Sequence, residues 1–114
     1  MKKSKLKACD KLWAELVKKR AGGKCEYCGK EGILAAHHII PRTNYPLRHD
    51  AENGVALCHP RHHLYWAHKD TVAFYEWVSK HRDIEYLNRR RNSQSKNDYN
   101  LIEIYLKQEL VKYA

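Results

Sequence analysis

Cys25-Glu26-Tyr27-Cys28 is followed, thirty residues on, by Cys58 and His62. No other feature of the chain limits its fold so tightly. Two short ligand pairs can clamp two separate strands through one tetrahedral ion, and thiolates with imidazole are the donors zinc prefers. Other uses of a C-x-x-C fit less well. A disulfide staple belongs with secretion, yet the basic start Met1 to Lys7 meets Ala8-Cys9-Asp10 rather than an apolar stretch. Thioredoxin-like chemistry needs a strand before the motif and a long helix after it, whereas Gly29, Gly32 and a short apolar strand follow here. The plainer reading makes Cys9 and Cys58 small buried hydrophobes beside a chance C-x-x-C. The fourth ligand stays open: a second C-x-x-C would need cysteine where Arg61 stands. Cys58-x3-His62 restores the set, with His59 and His63 the geometrically poorer choices.

Around this clamp the pattern predicts a single α+β domain over residues 1–114. Its parts are a basic N-terminal helix (1–23), a knuckle with a two-strand core and a helix (24–69), and C-terminal helices (70–114). The first helix is expected from about Lys7 to Arg20, burying Cys9, Leu12, Trp13, Leu16 and Val17 at helical spacing. Short strands are expected over Ile33 to Ala36 and Gly54 to Cys58, joined by a loop rich in turn residues (Pro41, Asn44, Pro46, Asp50). A helix is expected from near Pro60. Asp70 or Thr71, Asp83 and Asp98 read as caps of three further helices, the first of them burying Val72, Phe74, Tyr75 and Val78 or Trp77.

Eight histidines are present, and His37, His38, His62, His63 and His68 crowd into one strand-loop-helix unit. His49, His59 and His81 read as satisfied surface residues. Ala36-His37-His38-Ile39-Ile40-Pro41-Arg42, then Glu52-Asn53-Gly54-Val55-Ala56-Leu57-Cys58, then His62-His63 resembles the HNH nuclease motif, which implies a small zinc-stapled ββα-metal core with flanking helices. A looser likeness links Asp10-Lys11-Leu12-Trp13, the stretch Arg48 to Asn53 and Phe74-Tyr75-Glu76-Trp77 to phage recombination endonucleases of the Rap/NinG type.

The resemblance implies roles residue by residue. His37, His63 and His68 would hold a catalytic divalent metal such as Mg²⁺ or Mn²⁺, and His38 would be the general base. Asn53 would brace the long loop and hold His38 in position. Cleavage of phosphodiesters would leave 5′ phosphate and 3′ hydroxyl, on branched recombination intermediates if the looser likeness holds. Strand neighbours point to opposite faces, so His37 and His38 can serve metal and base together only where the strand ends. The sequence also departs from the family's Cys-x-x-Cys-His-x-x-x-His: it has Cys58-x3-His62-His63-x4-His68. In an α-helix, residues i and i+5 point about 140° apart. Either a π-bulge brings His63 and His68 together, or the helix ends first. The other register gives catalysis to His62 and leaves zinc with three protein ligands or none.

Twenty-two basic residues against thirteen acidic ones give +9, and nine bases against two acids lie between Lys2 and Lys24. That balance predicts a polyanionic partner, DNA. Arg42, Arg48, Arg61 and the run Arg89-Arg90-Arg91 are the candidate phosphate contacts, with Tyr45 and Trp66 as candidate stacking residues, Trp66 reading equally well as a core residue. A zinc-stapled DNA-binding module without nuclease activity is the alternative. No apolar run approaches the roughly 20 residues that span a bilayer, so a soluble, cytoplasmic protein without membrane partners is expected, phage-encoded if the Rap/NinG likeness holds. The last helix carries Tyr99, Ile102, Leu106, Leu110 and Tyr113 on one stripe, with Leu101, Ile104 and Tyr105 beside it. So wide a stripe predicts a homodimer through this helix, against the simpler arrangement in which it folds back over the first helix.

Overall fold

A computed structural model describes residues 2–113. Helix α1 (Lys2–Arg20) leads into the knuckle, strand β1 (Leu34–His38), a long loop, a 3-10 turn (Ala51–Asn53) and strand β2 (Gly54–Cys58). A π-helical turn (His63–Ala67) follows, then helices α2 (Thr71–Ser79), α3 (Ile84–Arg90) and α4 (Tyr99–Val111). Asp70, Asp83 and Asp98 cap α2, α3 and α4 by accepting from backbone amides of each first turn. The architecture is α+β, with a two-stranded antiparallel sheet in which His38 pairs with Gly54 and Leu34 with Cys58.

Two five-residue strands do not persist unaided. Three devices support them. Across the free edge of β2, Glu26 N–H donates to Ala56 O (2.8 Å), and Ala56 N–H donates to the Glu26 carboxylate (2.8 Å). Arg20 and Arg82 both donate to Gly54 O, at 2.7 and 3.0 Å, and both pair with Glu26. Helix α1 covers one face with Cys9, Trp13, Leu16 and Val17, all buried, each such side chain contributing roughly 1.5–3 kcal/mol. It lies so close that a Cβ on Gly54 would sit 2.4 Å from Val17 Cγ2 and 2.8 Å from Trp13 Cζ2. Only glycine fits.

The opposite face packs Val55 and Leu57 against Ala67, Phe74 and Val78. Phe74 and Val78 are the buried residues of α2, whereas Val72 and Tyr75, expected inside, are exposed. Leu87 of α3 joins Ile40 and Leu47 in a third cluster that anchors the long loop.

The fold covers within one chain part of the stripe from which a dimer is expected. Helix α4 folds back over α1: Leu106 is fully buried in the same cluster as Cys9, Trp13 and Leu16, with Tyr99, Ile102 and Leu110 against it. The first helix starts at Lys2 rather than Lys7, and this added turn supplies the Lys5–Glu103 ion pair (2.7 Å). Tyr99, Ile102, Leu106 and Leu110 are thus covered within the chain, whereas Leu101, Ile104, Tyr105 and Tyr113 remain exposed. Among the described residues, no helix is long and apolar enough to cross a membrane.

Candidate active site and metal centres

Two groups of ligand atoms converge, one on each side of the strand ends. In the first, the sulfurs of Cys25, Cys28 and Cys58 and a ring nitrogen of His62 all lie within 4.8 Å of one another. No disulfide joins the thiols. Bonds of about 2.3 Å to sulfur and about 2.0 Å to nitrogen, at the tetrahedral angle, would put sulfurs about 3.8 Å apart and sulfur and nitrogen about 3.6 Å apart. The observed Cys28–Cys58 separation is 3.9 Å and Cys25–His62 is 3.6 Å, with Cys58–His62 shorter at 3.0 Å. Burial, with the nearby charges of Arg61 and Lys30, lowers the His62 pKa and favours the neutral ring a metal needs. The donor set fits structural zinc, and it is His62, not His63, that faces the three thiols.

In the second group, His37, His63 and His68 meet within the same 4.8 Å limit. The five-residue spacing works because the backbone here is a π-turn: His68 N–H donates to His63 O (3.2 Å) and Ala67 N–H to His62 O (2.9 Å). One extra residue per turn brings i and i+5 over each other, and the two Nε2 atoms lie 3.1 Å apart. His37 is 9% exposed, with its ring edge-on to His63, His68 and Phe74. Burial first, then the neighbouring histidines, pushes its pKa down to about 3, so the ring is neutral, the form that could ligate a metal. His59, expected to be a bystander, puts Nδ1 3.3 Å from Nδ1 of His63. It thus holds the side of that ring facing away from His68.

His38 ends β1. Its Nε2 lies 2.9 Å from Arg48 O. A carbonyl can only accept, so Nε2 carries the proton and Nδ1 is the ring's accepting nitrogen. Burial lowers its pKa, partly offset by that hydrogen bond, and the ring is stacked on Trp13 at 3.9 Å and 9°. Both His37 and His38 line one cleft of about 460 Å³, together with Arg42, His63, His68, Phe74 and Tyr75.

Three expectations need correction. Asn53 is fully buried and braces the loop, but it does not touch His38: its amide accepts from Ile40 N–H (2.8 Å) and donates to Ile40 O and Leu47 O. Arg48 is not available to a phosphate. Its guanidinium is 8% exposed and held by both carboxylate oxygens of Asp10, at 2.9 and 2.8 Å. His49 is buried and bonds the same carboxylate (2.7 Å). Arg42, Arg61, Arg89, Arg90 and Arg91 are exposed; of these Arg42 lines the cleft, and Arg91 lines a groove beyond Tyr75 and Pro41. Tyr45 is exposed, whereas Trp66 is half-buried, with its ring against Tyr27, Phe74 and Trp77 at the margin of the second core cluster. The sequence pattern places Trp13 on the buried face of the first helix and Asp10-Lys11-Leu12-Trp13 in the looser likeness, but gives neither Asp10 nor Trp13 a part in the site.

Paired ligand sets around a strand pair and a helical turn, with a histidine base candidate at the strand end, describe the segment from the first knuckle cysteine to the first π-turn histidine. Residues 25–63 match the HNH endonuclease family. No curated protein and no solved structure matches the chain. The HNH segment covers the knuckle, both strands, the loop and the first residue of the π-turn. His68 and the helices lie outside it.

Proposed function

We propose that this protein is a metal-dependent DNA endonuclease, its residues 1–114 acting as one nuclease domain. The observation that carries the reading is the shared cleft, in which His37, His63 and His68 converge beside His38 with its accepting nitrogen defined. His38 Nδ1 takes a proton from the attacking water, whose oxygen bonds to phosphorus while the P–O3′ bond breaks; the departing 3′ oxygen takes a proton from solvent, so the products are 5′ phosphate and 3′ hydroxyl, and His38 returns its proton to water. A divalent ion such as Mg²⁺ or Mn²⁺, held by His37, His63 and His68, would stabilise the charge developing on the phosphate and on the departing 3′ oxygen. Neutral rings suit that ligation, and burial keeps His37 neutral. Zinc on Cys25, Cys28, Cys58 and His62 would be structural, tying the knuckle to the end of β2. Arg42 is the phosphate contact nearest the chemistry. Branched recombination intermediates are the proposed substrates.

The test compares cleavage of linear duplex, single-stranded, nicked and four-way-junction DNA with and without divalent metal. Metal-dependent cutting is expected, strongest on the junction. His38→Ala should abolish cutting while DNA affinity and the circular dichroism spectrum survive, because the base acts only in the chemical step. Near-normal turnover by that variant removes His38 as base. DNA binding without cutting on every substrate and metal would instead make the chain a zinc-stapled binding module.

A further inference from the structure

A base must be held as well as present. The loop that supplies Arg48 O has no regular secondary structure beyond single turns, and a carbonyl on such a loop would ordinarily be a mobile partner. Here three consecutive loop residues are tied to α1. Asp10 accepts both guanidinium hydrogen bonds of Arg48 and bonds His49 Nε2. Trp13 Nε1–H donates to Asp50 O at 2.8 Å. The same Trp13 presents its indole face to the His38 ring, nearly parallel. Trp13, Arg48 and His49 are each less than a tenth exposed, while the Asp10 side chain is 33% exposed, so most of the network is shielded from water. Resting on the reading of His38 as general base, we propose that α1 is its positioning element, Asp10 fixing the carbonyl that orients the ring and Trp13 fixing the ring plane.

Several observations converge on this assignment. Burial opposes the charge on Asp10, yet the hydrogen bonds from Arg48 and His49 outweigh it and lower the pKa, so the clamp is ionic at neutral pH. A bidentate guanidinium–carboxylate pair fixes direction as well as distance. Arg48 points its side chain to α1 and its carbonyl to β1, which makes one residue the bridge between helix and base. Small errors in the placement of a catalytic group, about 1 Å, cost on the order of 10²-fold in rate. Asp10 and Trp13 act through His38 and are positioning residues.

The experiment measures steady-state cleavage by wild type, Asp10→Asn, Arg48→Lys and His38→Ala, alongside nitrogen NMR of the His38 ring in the same metal-loaded proteins. In wild type the ring should be the Nε2–H tautomer; an Nδ1–H ring overturns the proposal without any variant. Asp10→Asn keeps the shape and loses the charge, and Arg48→Lys loses the two-pronged grip. Each should lower kcat about 10- to 100-fold with KM and DNA affinity unchanged, and should broaden or mix the tautomer signals. Wild-type kcat in a folded Asp10→Asn or Arg48→Lys, or a lower melting temperature with kcat and tautomer intact, overturns the positioning role. If His38→Ala also turns over normally, it is the base assignment that fails; if His38→Ala is dead and the clamp variants are normal, only this inference fails.

Discussion

At the scale of single residues, charge and position in sequence are poor guides to what a side chain touches. Arg42 and Arg48 both lie on the loop after the histidine pair and look alike. In the fold, Arg42 lines the cleft and Arg48 is buried against Asp10. Arg42→Ala should therefore weaken DNA binding and reduce the slope of log affinity against log salt by about one, the signature of one lost phosphate contact; an unchanged slope in filter-binding or anisotropy titrations removes Arg42 from the interface. The partner of Arg48 was illegible because Asp10 is thirty-eight residues away and comes near only once α1 lies across the sheet. Gly54 is a second residue whose role needs the fold. It reads as an ordinary strand start, yet Val17 and Trp13 occupy the place of its Cβ. Gly54→Ala should destabilise the protein by about 1–3 kcal/mol, the usual cost of overpacking, measured by urea unfolding. A stability equal to wild type would mean that α1 can shift away freely.

At the scale of elements, the metal ligands were the legible part. Cysteine and histidine offer metal-donor atoms, so spacing located the Cys25, Cys28, Cys58 and His62 set, while the resemblance to the HNH motif supplied His37, His63 and His68; β2 ends at Cys58. Even the irregular x4 spacing between His63 and His68 carried information, since a regular helix cannot bring them together and the π-turn does. The knuckle's mechanical part was less visible: Glu26 sits inside the C-x-x-C, yet it supplies both hydrogen bonds to Ala56 on the free edge of β2. Zinc at the adjoining Cys58 would hold the far end of that edge. Cys25→Ser or Cys58→Ser should release about one zinc per chain and lower stability by about 2 kcal/mol or more, as expected when a structural metal is lost. Metal analysis of protein purified without chelator checks the first part, and zinc-free protein as stable as the wild type would sink the idea.

At the scale of the whole molecule, the packing of α4 on α1 was not visible in the sequence. The dimer expectation took the first helix, the strands and the middle helices to share one core with little left to cover the last helix, and it placed the start of α1 near Lys7. The helix in fact begins at Lys2. Lys5 meets Glu103, the Cys9 thiol donates to Tyr99 O (3.5 Å), and Leu106 closes the cluster over Trp13 and Leu16. Because α1 also carries Asp10 and Trp13, the α4 contact supports the helix that holds the proposed base. Removing α4 by truncation after Asn97 should thus destabilise the protein and lower kcat, without altering assembly. The intact chain should scatter light as a 13.5 kDa monomer at micromolar concentration. Calorimetry and circular dichroism of the truncated chain should show an earlier, less cooperative loss of α1, because its apolar face toward α4 would meet water. A truncated chain that melts like the intact one would show that the α1–α4 contact carries no stability, and a dimer mass for the intact chain would return the uncovered Leu101, Ile104 and Tyr105 to consideration as an interface.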